Sequence, residues 1–431
     1  MNRKLIRLLA FALSLSLLAC GRDARDPAAG ITVWSSNNPG EIALAEWAVA
    51  SFSESGQAAS TQPVPEGQSS EEVVLAAVVG GTTPDVYANM WQGSVAMYAE
   101  AGVLVALDTL DGFTDWLAAR CSPETIAEVT APDGHVYQVP WKVNPIVTMY
   151  NRALFPAGAP ATYDDFLAAG ARLSRDADGD GYVDTYVGYT SPRTIWYERL
   201  FNFYPLYLAA TGGAPLVEDG RVAFDRPEAV AVMSFLRQLY ARGYMTRDQL
   251  SASGDPFLSG RVATNWTGPW SVDYVDRYAP EGFAYDFAPM LAPERSDVAD
   301  PPYTYGDPKN IVVFATAPNP QAAWDFLAAT LLSDEGDLRL LRESGQLPRR
   351  RDLLTDPRFA EYFATRPAMR AFAKQAQRVR GVSYEPRIVE VLDVISQEYE
   401  ACVLFDVKTP GAAIRDAAAA ARVLLGQTDP S

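Results

Sequence analysis

Histidine is almost absent from this chain: one in 431 residues, His135. A Ser-His-Asp or Cys-His mechanism would have to be built on that single residue. It sits in the turn Pro132-Asp133-Gly134-His135 and reads as an ordinary turn residue. No Gly-x-Ser-x-Gly elbow precedes a helix, and no Gly-x4-Gly-Lys phosphate loop occurs. Cysteine is scarce too, with three residues. Transition-metal centres draw on several His and Cys side chains, so such a centre is not expected. Positive charge is in deficit: 36 Lys and Arg face 53 Asp and Glu, a net charge of −17. That speaks against nucleic acid as a partner and against direct adhesion to anionic lipid. After the first twenty residues no run reaches the length that crosses a bilayer.

The N-terminus carries the compartment signal. Arg3, Lys4 and Arg7 form a basic start, and Leu8 to Ala19 is uncharged, too short to span a membrane and suited to a signal core. It ends in Leu17-Leu18-Ala19-Cys20, which looks like a bacterial lipobox. The expectation is a signal peptide over 1–19, with Cys20 diacylated as the first mature residue and a lipid anchor in the membrane. The other reading is a plain secretory signal with a chance cysteine. Residues 20–30 are polar and rich in breakers, a flexible tether. Cys121 and Cys402 remain, able to pair in an oxidising compartment or to stay free.

The composition of the whole chain, 48% hydrophobic and 21% charged, is that of large globular cores. About four hundred residues make two or three domain-sized units. Ile31-Thr32-Val33-Trp34 reads as a strand, then a loop, then an amphipathic helix with Leu44, Trp47, Ala48 and Phe52. Asn38 suits the helix cap, Pro39 the first turn, and Glu41 a capping box. The alternation recurs along the chain: helices over 71–79, 94–102, 163–173, 227–243 and 320–331, extended runs over 136–140, 146–150 and 310–316, and a mostly helical C-terminal third. This is an α/β pattern, in which ligands bind at the carboxyl ends of strands.

Two clusters have chemistry of their own. Asp176, Asp178, Asp180 and Asp184, with Gly181, follow the first part of an EF-hand loop. Val187 stands where the bidentate glutamate belongs, so the run reads either as a Ca2+ site or as an Asx-rich turn. The second cluster is aromatic. Trp34, Trp91, Trp141, Trp196, Tyr197, Trp266, Trp270, Tyr303 and Tyr305 fall outside core periodicity, whereas Trp47, Trp116 and Trp324 lie on helical spacing. Rings that cover apolar C–H faces, with Asn, Gln or Arg at the hydroxyls, are the chemistry of sugar binding.

An ordered series of short motifs then resembles the family 1 extracellular solute-binding proteins of ABC importers, the maltose-binding-protein-like family. The series runs through Gly80-Gly81-Thr82-Thr83-Pro84-Asp85-Val86, Gly134 to Pro140, Tyr150-Asn151-Arg152 and Pro160 to Phe166. It continues with Gly212-Gly213, Phe257 to Ala263, Gly268-Pro269-Trp270, Ala322 to Phe326 and Gly345-Gln346-Leu347-Pro348. The resemblance covers nearly all of the mature chain. It implies a two-lobe, periplasmic-binding-protein-like fold of type II with the ligand in the interlobe cleft. Lobe 1 is expected over 31–142 and 311–349, lobe 2 over 143–310 and 350–431. By local matching, Trp34, Asn38, Trp91 and Gln92 face the cleft from lobe 1. Asn144 takes the place of a hinge-side acidic contact, and Trp270 matches a sugar-stacking tryptophan. Trp141, Trp196, Tyr197, Trp266 and Tyr305 join them as candidates, and Arg387, with Arg380, as a partner for a phosphate or carboxylate. Asn38 and Pro39 depart from the acidic residue and lysine of maltose-binding members. The implied function is that of a non-enzymatic, monomeric, extracytoplasmic binding lipoprotein. It would carry an oligosaccharide, another sugar or a polyol to a membrane permease and need no cofactor apart from the Ca2+ that the acidic loop suggests. The alternatives are a secreted carbohydrate-active enzyme, using two of the carboxylates, and a binder of glycerol phosphate esters.

Overall fold

The computed structural model describes residues 30–427 except 55, 68, 251–253 and 297–299. The signal segment 1–19, Cys20 and the tether up to residue 29 lie outside the described residues.

A six-stranded sheet orders its strands as Leu347–Pro348, Val139–Val143, Lys309–Val313, Val86–Trp91, Ile31–Ser35 and Ala59–Pro63. Ile31–Ser35 pairs in parallel with both of its neighbours, and Lys309–Val313 runs antiparallel between Val86–Trp91 and Val139–Val143. Alternate strand residues feed two cores, one on each face. Val33, Val86 and Ala88 meet Leu44, Phe52, Trp324 and Phe326 on one side. Tyr87, Met90 and Val312 meet Val74, Val95 and Tyr98 on the other. The helix Pro39–Ser53 starts where the sequence indicates. The Asn38 side chain accepts from the backbone N–H of Gly40 at 2.9 Å, and Pro39 opens the first turn. Glu41 makes no capping box. It turns inward and is buried.

A second, four-stranded sheet orders Tyr285–Ala288, Val147–Asn151, Val262–Thr267 and Tyr186–Gly188. The helices Tyr163–Leu173, Phe203–Thr211, Pro227–Ala241, Ile388–Tyr399 and Pro410–Leu424 build the main core around it. Thr162 and Asp165 form a reciprocal capping box at the start of Tyr163–Leu173. Tyr163 then stacks on Phe235 with ring centroids 4.2 Å apart.

The chain crosses between the sheets beside Asn144 to Ile146, Tyr305 to Asp307 and Arg349. At the first crossing Asn144 N–H donates to the Gly306 carbonyl at 2.5 Å and Ile146 N–H to that of Tyr305 at 2.9 Å. Thr304–Tyr305 also pairs in parallel with Val379–Arg380. At the third, Arg349 N–H donates to the Trp141 carbonyl at 2.8 Å. A small core of Val143, Val147, Val272, Leu341, Leu347 and Phe372 ties the crossings to elements of both sheets. Cys121 lies in the core of the first sheet and Cys402 in that of the second; both thiols are buried and free, so they do not pair. No helix among the described residues is long and apolar enough to cross a membrane.

Candidate functional site

Trp91 ends its strand at the boundary between the lobes. Its indole N–H donates to the Tyr305 hydroxyl at 2.9 Å, and that hydroxyl donates to Asp307 at 3.1 Å. Lys309 closes the run with its ammonium 3.3 Å from the same carboxylate. Tyr305 is wholly buried, and burial beside Asp307 holds its hydroxyl protonated far above the usual tyrosine range. Around these two rings an aromatic series assembles. Trp91 lies 4.8 Å from Trp196, and Trp196 5.8 Å from Tyr197. On the other side Tyr305 lies 6.3 Å from Phe201, and Phe201 6.2 Å from Trp270. The first lobe contributes Trp91, a crossing strand Tyr305, and the second lobe the remaining four. Trp91 and Tyr305 are sealed in, whereas Tyr197 and Trp270 are 37% and 40% exposed, so the series runs from a buried floor to an open rim.

Two glycines set the poses of Trp91 and Trp270. A Cβ at Gly93 would stand 2.2 Å from the Trp91 ring, and a Cβ at Gly268 2.2 Å from the Trp270 ring. Each indole folds back over a residue two positions away in sequence, and only a residue without a side chain leaves it room.

Polar groups gather beside the series. Lys142 and Glu41 form an ion pair at 2.5 Å, with side chains 2% and 3% exposed. Burial pushes the Lys142 ammonium below the ordinary lysine range, and the neighbouring Glu41 charge works against that shift. The second Glu41 oxygen has no hydrogen-bond partner, and neither has the buried Asn144 side-chain oxygen. Glu128 is a junction. It accepts from the Gln92 amide at 2.9 Å, from Gly381 N–H at 2.9 Å and from Arg349 at 2.7 Å. One carboxylate thereby ties the first lobe, a crossing segment and the second lobe together.

The candidates named from sequence separate into groups. Trp91, Trp196, Tyr197, Trp270 and Tyr305 come together, with Gln92 and Asn144 buried at the boundary. Trp141 and Trp266 do not join them. Trp141 packs in the core of the first sheet under the Lys142 ammonium, and Trp266 packs on Phe166 in the second. Trp34 packs among the residues around Tyr98 and Val312. Asn38 is exposed and occupied as a helix cap. Arg387 is exposed, with its guanidinium donating to the Leu424 carbonyl at 2.8 Å. Tyr303 lies beneath Arg378 and Arg380 instead of in the series. Phe201, Glu128, Asp307 and Lys309 escaped the sequence reading. Phe201 stands one residue past the Trp196–Leu200 turn and carries no motif; Asp307 and Lys309 pair locally beside Tyr305, and Glu128 takes its place from partners distant in sequence.

The acidic loop is exposed. Asp176, Asp178 and Asp184 each offer an oxygen within 4.8 Å of the others, but Asp180 is outside that group. The Asp176 oxygens accept from Gly179 N–H at 2.6 Å and Gly181 N–H at 2.8 Å, and Asp184 accepts from Ala177 N–H at 2.7 Å. These backbone bonds hold the Asp176 carboxyl below the usual range. Val187, at the twelfth position, is buried in the second core. Three carboxylates supply part of the six to eight oxygens that Ca2+ takes, and the loop's own amides already use them.

Comparison with known proteins adds the family. The model of the bacterial extracellular solute-binding proteins matches residues 47–369. Among solved structures, an uncharacterized protein from Listeria monocytogenes is 24% identical with a TM-score of 0.80, over 92% of this chain and 99% of that one. The sugar-binding protein MalE from Xanthomonas citri is 18% identical with a TM-score of 0.74, over 92% and 97% of the two chains. The cyclic α-maltosyl-1,6-maltose binding protein from Arthrobacter globiformis is 21% identical with a TM-score of 0.73, over 92% and 98%. These likenesses establish the two-lobe, type II periplasmic-binding fold.

Proposed function

The chain belongs to the bacterial extracellular solute-binding proteins, and from that premise we propose that it captures a carbohydrate or a similar polyol between its lobes. The observation that carries the reading is the aromatic series Trp91, Trp196, Phe201 and Trp270, drawn from both lobes and graded from buried floor to exposed rim. Rings present flat apolar faces to sugar C–H surfaces, and Asn144, Asp307 and Lys309 supply polar groups for hydroxyls. A ligand that touches both lobes stabilises the form in which they meet. The neighbours named for sugars support the same class. On this reading the protein is a binder without turnover. It delivers its ligand to an ABC permease and is held at the membrane through lipid on Cys20.

A thermal-shift screen over mono-, di- and oligosaccharides, polyols and glycerol phosphates, followed by calorimetry, tests it. A saturable rise in melting temperature with a sugar or polyol that is recovered unchanged is the expected result. Hydrolysis of the glycan, or a response confined to glycerol phosphates, overturns it. The anchor has its own test: Cys20→Ala should move the protein from the membrane fraction to the soluble one, and a variant that stays anchored removes that part of the reading.

A further inference from the structure

Five arginines converge on a cavity of about 270 Å³ that the aromatic series does not reach. Its walls come from three parts of the fold. Ser122 and Thr125 belong to the first lobe, Arg349 to Arg351 follow the strand Leu347–Pro348 at a crossing, and Tyr303, Arg378 and Arg380 come from the other crossing and its paired strand. Two of the arginines are committed to carboxylates. Arg349 holds Glu128 at 2.7 Å, and Arg350 holds Asp352 at 2.6 Å and Asp337 at 2.9 Å. The other three are not matched in this way. Arg378 pairs with Asp300 at 2.9 Å, whose side chain is 65% exposed, and its Nε donates to the Pro301 carbonyl at 3.3 Å. Arg351 and Arg380 have no carboxylate within ion-pair distance among the described residues. Arg378 and Arg380 both lie on the Tyr303 ring, 4.3 and 4.9 Å from its centroid, so their planes are held rather than free. Glu124 and Glu128 are the acidic residues in the lining; Glu124 lies near enough to feel the Arg380 charge without an ion pair, and Glu128 is already occupied by Arg349, Gln92 and Gly381.

A chain of net charge −17 thus gathers five arginines against two glutamates in the lining of one small cavity, an excess of positive charge. Guanidinium forks bind multi-oxygen anions in pairs of parallel hydrogen bonds, and a ring beneath them keeps the forks in place. We propose that this cavity is a binding site for a small oxyanion, a phosphate or polycarboxylate group. Arg351, Arg378 and Arg380 are its charged donors, with the Ser122 and Thr125 hydroxyls beside them. The site is independent of the sugar reading. Because its walls belong to the first lobe and to two crossings, a bound anion also bridges the segments about which the lobes move. Anion and cleft ligand then influence each other's affinity by the same factor.

The test is calorimetry and thermal shift on the full chain, with inorganic phosphate and citrate as probes and sodium chloride at matched ionic strength as control. The expected result is saturable binding of at least one probe and a rise of about 2 °C in melting temperature at tenfold excess over its Kd. Arg380→Gln and Arg351→Gln should each weaken that binding about tenfold or more, as loss of a charge-assisted hydrogen bond does. Arg415→Gln, on the exposed face of the last helix, should leave it unchanged. Arg351 is exposed, so its variant folds whatever the fate of the half-buried Arg380. A phosphate response with a weak citrate one identifies a phosphate site, and the reverse identifies a polycarboxylate site. No saturable binding of either probe, the same shift from chloride, or equal weakening by Arg415→Gln overturns the proposal.

Discussion

Truncating Trp270 to alanine should separate binding from folding. The ring is 40% exposed, with Phe201 6.2 Å away and Gly268 beneath it. An indole buries up to about 250 Å², so about 100 Å² remains for a ligand to cover. At about 25 cal/mol per Å² that surface is worth about 2.5 kcal/mol, or roughly seventyfold in Kd. The part already covered is not a packed core, so the loss of stability should stay below about 2 kcal/mol. Trp91→Ala is the contrast. That ring is 3% exposed and bonded to Tyr305, and its removal should cost about 3–5 kcal/mol of stability. Calorimetry with the sugar found by screening gives the affinity, and a parallel urea melt gives the stability. Unchanged affinity for Trp270→Ala would remove the ring from the binding surface, and a stability loss equal to that of Trp91→Ala would place it in a core.

Three further outcomes follow from the structure. Asp337 is fully buried between Arg120, paired through both carboxylate oxygens, and Arg350, so Asp337→Asn should cost about 3–5 kcal/mol in a urea melt by leaving Arg120 buried without a counter-charge. His135 lies 2.9 Å from Asp108, which raises its pKa above the ordinary 6.5; the contribution is therefore complete below about pH 6.5 and lost as pH rises through the higher folded value. The melting-temperature gap between the wild type and His135→Gln should accordingly shrink from pH 6 towards pH 8, and a gap that widens contradicts the pairing. Melting curves in chelator and in millimolar calcium should coincide, because backbone amides hold the Asp176 loop and Val187 takes the closing position; a calcium-dependent rise abolished by Asp178→Ala would show that the loop loads the ion.

The features legible in the amino-acid sequence are local ones. Asn38 before Pro39, and Thr162 before Asp165, place helix starts to the residue, because a cap is a contact within one turn. The alternation of strand and helix, with its Gly and Pro punctuation, sufficed for the α/β class, since period and turn chemistry act over a few residues. Gly268-Pro269-Trp270 likewise held an indole clear of core periodicity. Which tryptophans meet is set by long-range packing. Trp141 and Trp266 fall outside core periodicity as Trp91 and Trp270 do, yet Trp141 packs in the core of the first sheet and Trp266 on Phe166, away from the series, because a ring's neighbours depend on which distant elements close over it. Glu41 looked like a capping residue until Lys142, about a hundred positions away, drew it inward. Glu128 carries no motif; its partners Gln92, Arg349 and Gly381 lie 36, 221 and 253 residues away. A carboxylate is indistinguishable from its neighbours in sequence when everything that distinguishes it is the long-range company the fold provides.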